Sequence, residues 1–234
     1  MDKATWQQRA ERELGRPVAR LDYSPLPEVR VPALVTAGPP SSRGTGTSAG
    51  WQVASTHAGS PEVVAESVAD DVQGGVEAIR VDVRAFRGAR DLAMAVNAAE
   101  PEHRPFALAH GAIGDAATLV GLIRGLRRDV SGMQLDFGLD PIGELARNGF
   151  LQGPFDKHVA SGADLVRWCR DEAPRCRVFV ADGTVWHDRG ADEALSIALT
   201  VGTALAYLRG MEAEGLSIED AFGAIELRQA VPGR

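Results

Sequence analysis

Cysteine is scarce in this 234-residue chain, and acidic residues outnumber basic ones by 32 to 25. The two cysteines, Cys169 and Cys176, are too few for a structural zinc site or a disulfide framework. This composition is typical of a reducing compartment, so we expect a cytoplasmic location. The net charge of -7 argues against a nucleic-acid-binding surface, which would be basic.

Long apolar runs are also missing. No uninterrupted apolar stretch reaches the roughly 18 residues that a membrane helix needs. The N-terminus is charged from Asp2 onward, unlike a signal peptide. We therefore expect neither membrane insertion nor export. With 44% hydrophobic and 24% charged residues, the composition is that of a globular protein with one large α/β domain or two small ones.

The first fifty residues predict a helix and an arm. A cap at Thr5 and a stop at Gly15 bound the predicted helix. Residues 17–50 contain six of the thirteen prolines and end in PPSSRGTGTSAG, so we expect no regular structure there. We therefore divide the chain into an N-terminal helix with a proline-rich arm, residues 1–50, and an α/β part, residues 51–234.

From residue 51 onward, strand patterns alternate with helix patterns. Five segments follow the strand pattern and a sixth follows it in part: 51–56, 78–83, 105–111, 132–138, 178–181 and 224–231. Intervening helices imply parallel strands with right-handed crossovers, in a barrel or an open doubly wound sheet. A closed eight-stranded barrel typically takes about 250 residues, so the chain is short for one.

Residues 178–208 are the segment around which the chain is organised, because they predict a strand, a polar loop and a long helix. The loop contains Asp182, His187 and Asp188. In parallel α/β folds, ligands bind at the loops that follow the carboxyl ends of strands. Asp182 and His187 are therefore the first candidate catalytic residues.

Three histidines near predicted strand ends leave a metal hydrolase open. They are His57, His110 and His187. A barrel could bring them together with Asp136 or Asp140 as metal ligands. The chain has no close ligand pair such as H-E-x-x-H, so chance placement in a parallel fold is the alternative.

Aspartates at or just beyond strand ends leave acid/base chemistry open as well. Asp136, Asp140 and Asp182 could form a pair of carboxylates that exchange protons with a substrate. The alternative is a structural role. Asp140 followed by Pro141 is typical of a helix N-terminus, which predicts that Asp140 is a capping residue.

Nucleotide-binding motifs are absent. The sequence contains neither G-x-x-x-x-G-K-[ST] nor a G-x-G-x-x-G that joins a strand to a helix. The glycines of RGTGTSAG come before the first strand. Arg43, which precedes them, could bind a phosphate or carboxylate of a substrate, and a solvated arginine is the alternative.

Three stretches carry a resemblance when they are taken in order. They are W-x-x-x-A-E-x-x-L-G at Trp6–Gly15, GLDPIGELARNG at 138–149, and DGTVWHDRGADEALSIALTVGTALAYLRGMEAEGLSIEDAFGAIELRQAV from Asp182 onward. The whole chain thus resembles the methylmalonyl-CoA mutase family. The resemblance implies a (β/α) barrel that holds an acyl-CoA substrate, and adenosylcobalamin bound by a separate domain. Radical chemistry at the cofactor then rearranges the carbon skeleton.

Two departures from the catalytic members imply loss of activity. Where those members carry Gly-Tyr-His, this chain has Gly183, Thr184 and Val185, and valine cannot replace an imidazole that hydrogen-bonds a thioester carbonyl. Where they carry an Arg-Gln-Tyr run after Trp51, this chain has ASTH at 54–57. Both departures make the chain closest to the non-catalytic small subunit of heterodimeric mutases.

The resemblance also sets expectations about cofactor and partner. The D-x-H-x-x-G cobalamin motif is missing, so we expect this chain alone to bind no cofactor. The sequence stops at residue 234 where the family continues, so we expect an incomplete barrel of about six strands. A catalytic mutase subunit or a second copy would cover its open edge. The alternatives are an active mutase barrel served by a separate cobalamin-binding protein, and a metal or acid/base hydrolase on the same scaffold.

Overall fold

The computed structural model describes residues 2–26, 29–34, 51–125 and 129–231. They belong to two compact units, Met1–Trp51 and Gln52–Arg234. The predicted anion-binding residue Arg43 lies outside the described residues.

The N-terminal unit contains a helix and a β-hairpin. Its elements are helix α1 (Lys3–Leu14), a 3-10 helix (Val18–Leu21), and the antiparallel strands β1 (Tyr23–Leu26) and β2 (Val29–Val31). The carboxylate of Asp2 accepts a hydrogen bond from Thr5 N at 2.8 Å, so the predicted cap at Thr5 is wrong. The predicted stop at Gly15 is confirmed by its left-handed φ of 63°. The hairpin corrects the prediction of no regular structure after Pro17, because both strands of a two-stranded ribbon are edges, which tolerate proline.

The C-terminal unit alternates strands and helices. In chain order its elements are β3 (Ala54–His57), α2 (Pro61–Gln73), β4 (Ala78–Asp82), α3 (Ala89–Ala99), β5 (Phe106–Ala109), α4 (Ile113–Gly125), β6 (Leu135–Leu139), α5 (Pro141–Asn148), α6 (Phe155–Glu172), β7 (Arg177–Asp182), α7 (Thr184–His187), α8 (Glu193–Ala213), α9 (Ile218–Gly223) and β8 (Ile225–Arg228).

The six strands of this unit are parallel and follow one another in chain order, from β3 to β8. A doubly wound sheet reverses its strand order at a switch point, and this sheet does not. Right-handed crossovers that all advance in one direction place the helices on one face. The predicted incomplete barrel is confirmed, and so is its partly matched last strand, which pairs with β7 from Ile225 to Arg228.

One ion pair shows how strongly the sheet curls. Strands β4 and β8 are four strand spacings apart, or about 19 Å in a flat sheet. Arg80 Nη2 on β4 nevertheless lies 2.9 Å from Glu226 Oε1 on β8. Only a curled sheet lets these two side chains meet across its concave face. The unit is therefore a half-barrel.

Strand β6 contains a β-bulge near Gly138. Asp136 pairs with Arg177, but Leu139 pairs with Phe179, so β6 contains one extra residue. Gly138 has a φ of +68°, and a Cβ there would lie 2.0 Å from the Leu108 carbonyl oxygen. Only glycine fits this conformation and this close approach.

The core lies between the outer face of the sheet and the helices. Alternate residues of β4, β5 and β6 fill it, all at most 1% exposed: Ile79, Val81, Phe106, Leu108, Leu135 and Phe137. From α8, the ring of Tyr207 stacks on Phe179 at 5.0 Å. By length and composition α8 is the one described helix that could cross a membrane, which our sequence reading did not predict. Its contacts through Tyr207 and Met211 make it part of the half-barrel core.

Candidate functional site

Charged residues line the concave face of the half-barrel and the carboxyl ends of its strands. Six of them alternate in sign and contact one another in sequence, and we call them the ion-pair chain: Arg80, Glu226, Arg228, Asp182, Arg147 and Asp140. Three arginines face three carboxylates, so the formal charges cancel. Each of these side chains is at most 23% exposed.

Two arginines of the ion-pair chain each bridge two carboxylates. Arg228 contacts Glu226 at 3.2 Å and Asp182 at 3.5 Å. Arg147 contacts the same Asp182 oxygen at 3.5 Å and Asp140 at 3.1 Å. Planar guanidinium groups suit such bridging, because their N–H donors point in fixed directions. The ion-pair chain therefore links β4, β8, β7 and the N-cap and body of α5 across the concave face.

Asp140 is the best-anchored carboxylate of the chain. It caps α5 by accepting from Gly143 N at 3.0 Å, which confirms the predicted capping role. The Tyr207 hydroxyl donates to its Oδ1 at 2.6 Å and accepts from Ile142 N at 3.0 Å. Burial raises the pKa of Asp140, although these hydrogen bonds and Arg147 oppose the rise.

Asp182 supports the turn that follows β7. Its Oδ1 accepts from Thr184 N at 3.0 Å and from the Thr184 hydroxyl at 2.6 Å. Thr184 begins α7, a single helical turn in a segment that the sequence predicted as a loop. His187 ends this turn and is partly exposed. The position that the resemblance assigns to the imidazole, Val185, is 2% exposed and packed inside.

Asp136 lies inside the half-barrel and not at a strand end, contrary to its prediction. It is the second residue of β6 and 8% exposed. Burial, with Glu226 nearby, raises its pKa to about 6. Its Oδ1 has no hydrogen-bond partner among the described residues.

A polar cavity of about 190 Å³ opens at the carboxyl ends of β5 and β6. Arg84, His110, Asp115, Glu144 and Arg147 are among its lining residues. His110 has a left-handed φ of 57°, a conformation that is uncommon outside glycine but in which histidine is enriched, as asparagine and aspartate are. Burial, with Arg147 and Arg84 nearby, lowers the pKa of His110 and favours the neutral ring. Neither Arg84 nor Arg147 was predicted from the sequence as a site residue. Arg147 lies in the GLDPIGELARNG stretch, whose resemblance to the family could have indicated it.

The predicted histidine cluster is not assembled as a metal site. Both ring nitrogens of His57 are hydrogen-bonded to serine hydroxyls: Nε2 to Ser55 at 2.8 Å and Nδ1 to Ser67 at 2.9 Å. Within 2–26, 29–34, 51–125 and 129–231, no three His, Cys, Asp or Glu side chains are grouped to hold a metal ion. A metal hydrolase therefore has no ligand set in the described part of the chain.

Comparison with known proteins bears on this site directly. Residues 116–231 match the family profile described as methylmalonyl-CoA mutase. That region contains every member of the ion-pair chain except Arg80. The resemblance to the methylmalonyl-CoA mutase family is confirmed.

Curated methylmalonyl-CoA mutase small subunits are among the relatives. The one from Streptomyces virginiae is 29% identical over 191 residues, 79% of this chain and 30% of the relative. The one from Propionibacterium freudenreichii subsp. shermanii is 28% identical over 113 residues, which are 48% of this chain and 17% of the relative. A probable small subunit from Mycobacterium tuberculosis (strain ATCC 25618 / H37Rv) is 32% identical over 98 residues, which are 42% of this chain and 15% of the relative. The matched part of this chain thus spans less than a third of each of these relatives.

Proposed function

We propose that this chain is a small-subunit-like methylmalonyl-CoA mutase homologue that has no mutase activity of its own and pairs with a catalytic subunit or with a second copy. The observation that carries this proposal is the ion-pair chain. A mutase barrel must leave its interior open to an acyl-CoA. Here the Arg80–Glu226 contact spans the concave face, and arginines engage the carboxylates of Glu226, Asp182 and Asp140.

The residues available for chemistry support the same reading. Asp182 accepts a hydrogen bond from Thr184 and forms ion pairs with Arg147 and Arg228. Asp140 caps α5 and accepts a hydrogen bond from the Tyr207 hydroxyl. Both oxygens of each carboxylate are engaged by these partners, so a substrate proton could reach either group only by displacing one of them. Val185 offers no proton donor at the position where the resemblance calls for imidazole.

Adenosylcobalamin enters this proposal only as a cofactor of the partner. A cobalt-binding imidazole needs a ring nitrogen free to face the metal. In the described part of the chain, both ring nitrogens of His57 are hydrogen-bonded to serines, and His110 Nδ1 is buried away from solvent. Neither of these two histidines presents an accessible Nδ1, and we assign no step to the cofactor on this chain.

An apolar groove between α8, α9 and β8 supports pairing. The groove encloses about 280 Å³ and is lined by Val201, Ala204, Leu205, Leu208, Phe222, Ile225 and Leu227. Phe222 is 73% exposed and Leu227 58% exposed. The groove borders β8, the last strand of the sheet, which pairs on one side only among the described residues. Exposed apolar residues beside a free edge are typical of an interaction surface.

Sedimentation velocity and an activity assay together test this function. The purified chain is examined alone and after mixing with a catalytic mutase subunit, and each sample is assayed with methylmalonyl-CoA and adenosylcobalamin. We expect a self-associated species or a complex, and turnover only when the catalytic subunit is present. Turnover by the chain alone contradicts the proposal. Turnover that appears on adding only a cobalamin-binding protein favours the active-barrel alternative.

Two valine variants locate the contact. Val201→Lys places a charge in the groove, whereas Val63→Lys changes an equally exposed valine on α2, 56% against 54% exposed. We expect Val201→Lys to weaken association by about tenfold or more, because a lysine in an apolar contact must be desolvated. Val63→Lys should leave association unchanged. Equal effects of the two variants contradict the assignment of the groove.

A further inference from the structure

Two thiols meet where α6 ends and β7 begins. Cys169 lies in the last turn of α6, and Cys176 immediately precedes β7. Both are hydrogen-bonded through their backbones to Ala173, which is fully buried. Ala173 N donates to Cys169 O at 2.8 Å, and Cys176 N donates to Ala173 O at 3.0 Å. One fixed turn therefore holds the two cysteines together.

The side chains of these cysteines interact directly. Each thiol is close enough to form a hydrogen bond with the other, and Cys176 Sγ also donates to Met133 O at 3.8 Å. The two sulfurs are not bonded, so the pair is a dithiol. A disulfide between them would require Cys176 Sγ to give up its contact with Met133 O and to turn towards Cys169.

Small molecules can reach the pair although each residue is less than 8% exposed. Both cysteines line a cavity of about 270 Å³ together with Arg170 and Asp220. Cys176 also borders a second cavity of about 270 Å³, with Arg175 and Arg177. Such cavities exceed the volume of a water molecule several times over, which is room for a peroxide.

We propose that Cys169 and Cys176 form a redox-active pair that a small hydroperoxide converts into an intramolecular disulfide. The Cys176 thiolate attacks one peroxide oxygen and breaks the O–O bond, which gives a sulfenic acid and, with hydrogen peroxide, one water. The Cys169 sulfur then attacks the Cys176 sulfur, and the hydroxyl leaves as a second water. Two thiols lose two electrons and two protons, and the peroxide gains both.

The surroundings of the sulfurs decide which one attacks first. The hydrogen bond between the thiols lowers the pKa of Cys176 and raises that of Cys169. A backbone bond from Leu135 and the cation of Arg175 also lower the pKa of Cys176, against burial and Asp136. The thiolate is the nucleophile in peroxide reduction, so Cys176 is the attacking residue and Cys169 the resolving one.

This site is separate from the ion-pair chain. Cys176 stands at the amino end of β7, whereas Asp182 ends the same strand. The proposed disulfide would tie the end of α6 to the start of β7 without touching the concave face. Its presence or absence therefore does not depend on the proposed role as a small-subunit-like chain. Transient disulfides in a reducing compartment are typically of this redox-sensing kind.

Hydrogen peroxide and intact-mass analysis test the inference on the full chain. After treatment, alkylation under denaturing conditions and mass measurement, we expect the native protein to be lighter by two hydrogens and to resist alkylation at both cysteines. A peptide map should show the two cysteines cross-linked, and dithiothreitol should reverse the change. A native protein that keeps two alkylatable thiols, or oxidises only after unfolding in urea, overturns the proposal.

Single variants test the order of attack. Cys169→Ser cannot resolve the intermediate and should accumulate a sulfenic acid at Cys176, trapped by a dimedone probe. Cys176→Ser should label at Cys169 more slowly by about tenfold, because Cys169 is buried and has neither the Leu135 hydrogen bond nor the Arg175 cation that favour the Cys176 thiolate. Circular dichroism confirms that each variant is folded. Labelling of Cys169 in Cys176→Ser as fast as labelling of Cys176 in Cys169→Ser refutes the assignment of the attacking residue.

Discussion

Removing one hydroxyl should weaken the half-barrel substantially, because the Tyr207 hydroxyl serves two buried partners. In Tyr207→Phe, Asp140 loses a donor at 2.6 Å and Ile142 N loses its acceptor at 3.0 Å. Asp140 is 5% exposed and Tyr207 is fully buried, so water cannot easily replace the hydroxyl. A lost bond to a charged group and an unsatisfied buried amide together cost about 2 to 4 kcal/mol of the free energy of unfolding.

The cost should depend on pH in a defined direction. Burial raises the folded-state pKa of Asp140 above its ordinary value of 3.8, while the Tyr207 hydrogen bond opposes that rise. Protonated Asp140 therefore stabilises the fold below its ordinary pKa, and this contribution is lost as the pH rises through the folded-state pKa. Without the hydroxyl the folded-state pKa rises further. The variant should consequently lose more stability near pH 7 than near pH 4.

Urea unfolding followed by circular dichroism measures this effect at both pH values. A double-mutant cycle with Asp140→Asn isolates the contribution of the charge, since the two residues contact each other directly. We expect the loss caused by Tyr207→Phe to be smaller in the Asp140→Asn background. A loss below about 0.5 kcal/mol, or one that is the same at both pH values, would show that Tyr207 only fills space.

Two further changes probe the interior. Burial, with Glu226, raises the pKa of Asp136 from 3.8 to about 6, so stability should fall as the pH rises through that window. Asp136→Asn should remove up to about 3 kcal/mol of this dependence, and urea midpoints from about pH 4 to 7 measure it. Gly162→Ala would place a Cβ 2.2 Å from Phe179 and should cost about 1 to 3 kcal/mol. Gly202→Ala on α8 meets nothing within 4 Å and should gain up to about 1 kcal/mol, so equal thermal melting temperatures for the two alanine variants would contradict the packing.

Local sequence signals predicted the order of elements and one site residue correctly. Asp140 followed by Pro141 predicted an N-cap, because a short side-chain acceptor and a fixed φ at the first helical position favour a helix start. The last strand was identified only in part, because the alternation of apolar and charged residues from Ile225 to Arg228 extends over only four residues. An alternating run of that length is the shortest that indicates a strand.

The ion-pair chain could not be predicted from local patterns. Arg80 and Glu226 are 146 positions apart in the sequence, and their contact exists only because the sheet curls. The bulge at Gly138 and the left-handed His110 likewise depend on neighbouring strands, as the 2.0 Å approach of a Gly138 Cβ to Leu108 shows. Asp136 was misplaced because its predicted strand, 132–138, began three residues and ended one residue before the observed strand β6, in which Asp136 is the second residue.

The ion-pair chain is more useful for shape than for stability. Buried ion pairs contribute little net free energy, because desolvation offsets most of their attraction. A closed barrel fixes its curvature through backbone hydrogen bonds around the ring, whereas in the described part of the chain no further strand pairs with β3 or β8. The contact between Arg80 on β4 and Glu226 on β8 joins the two sides of the concave face. We expect this contact to hold the curvature that the backbone leaves undetermined, and with it the width of the face that a partner covering the α8–β8 groove would meet.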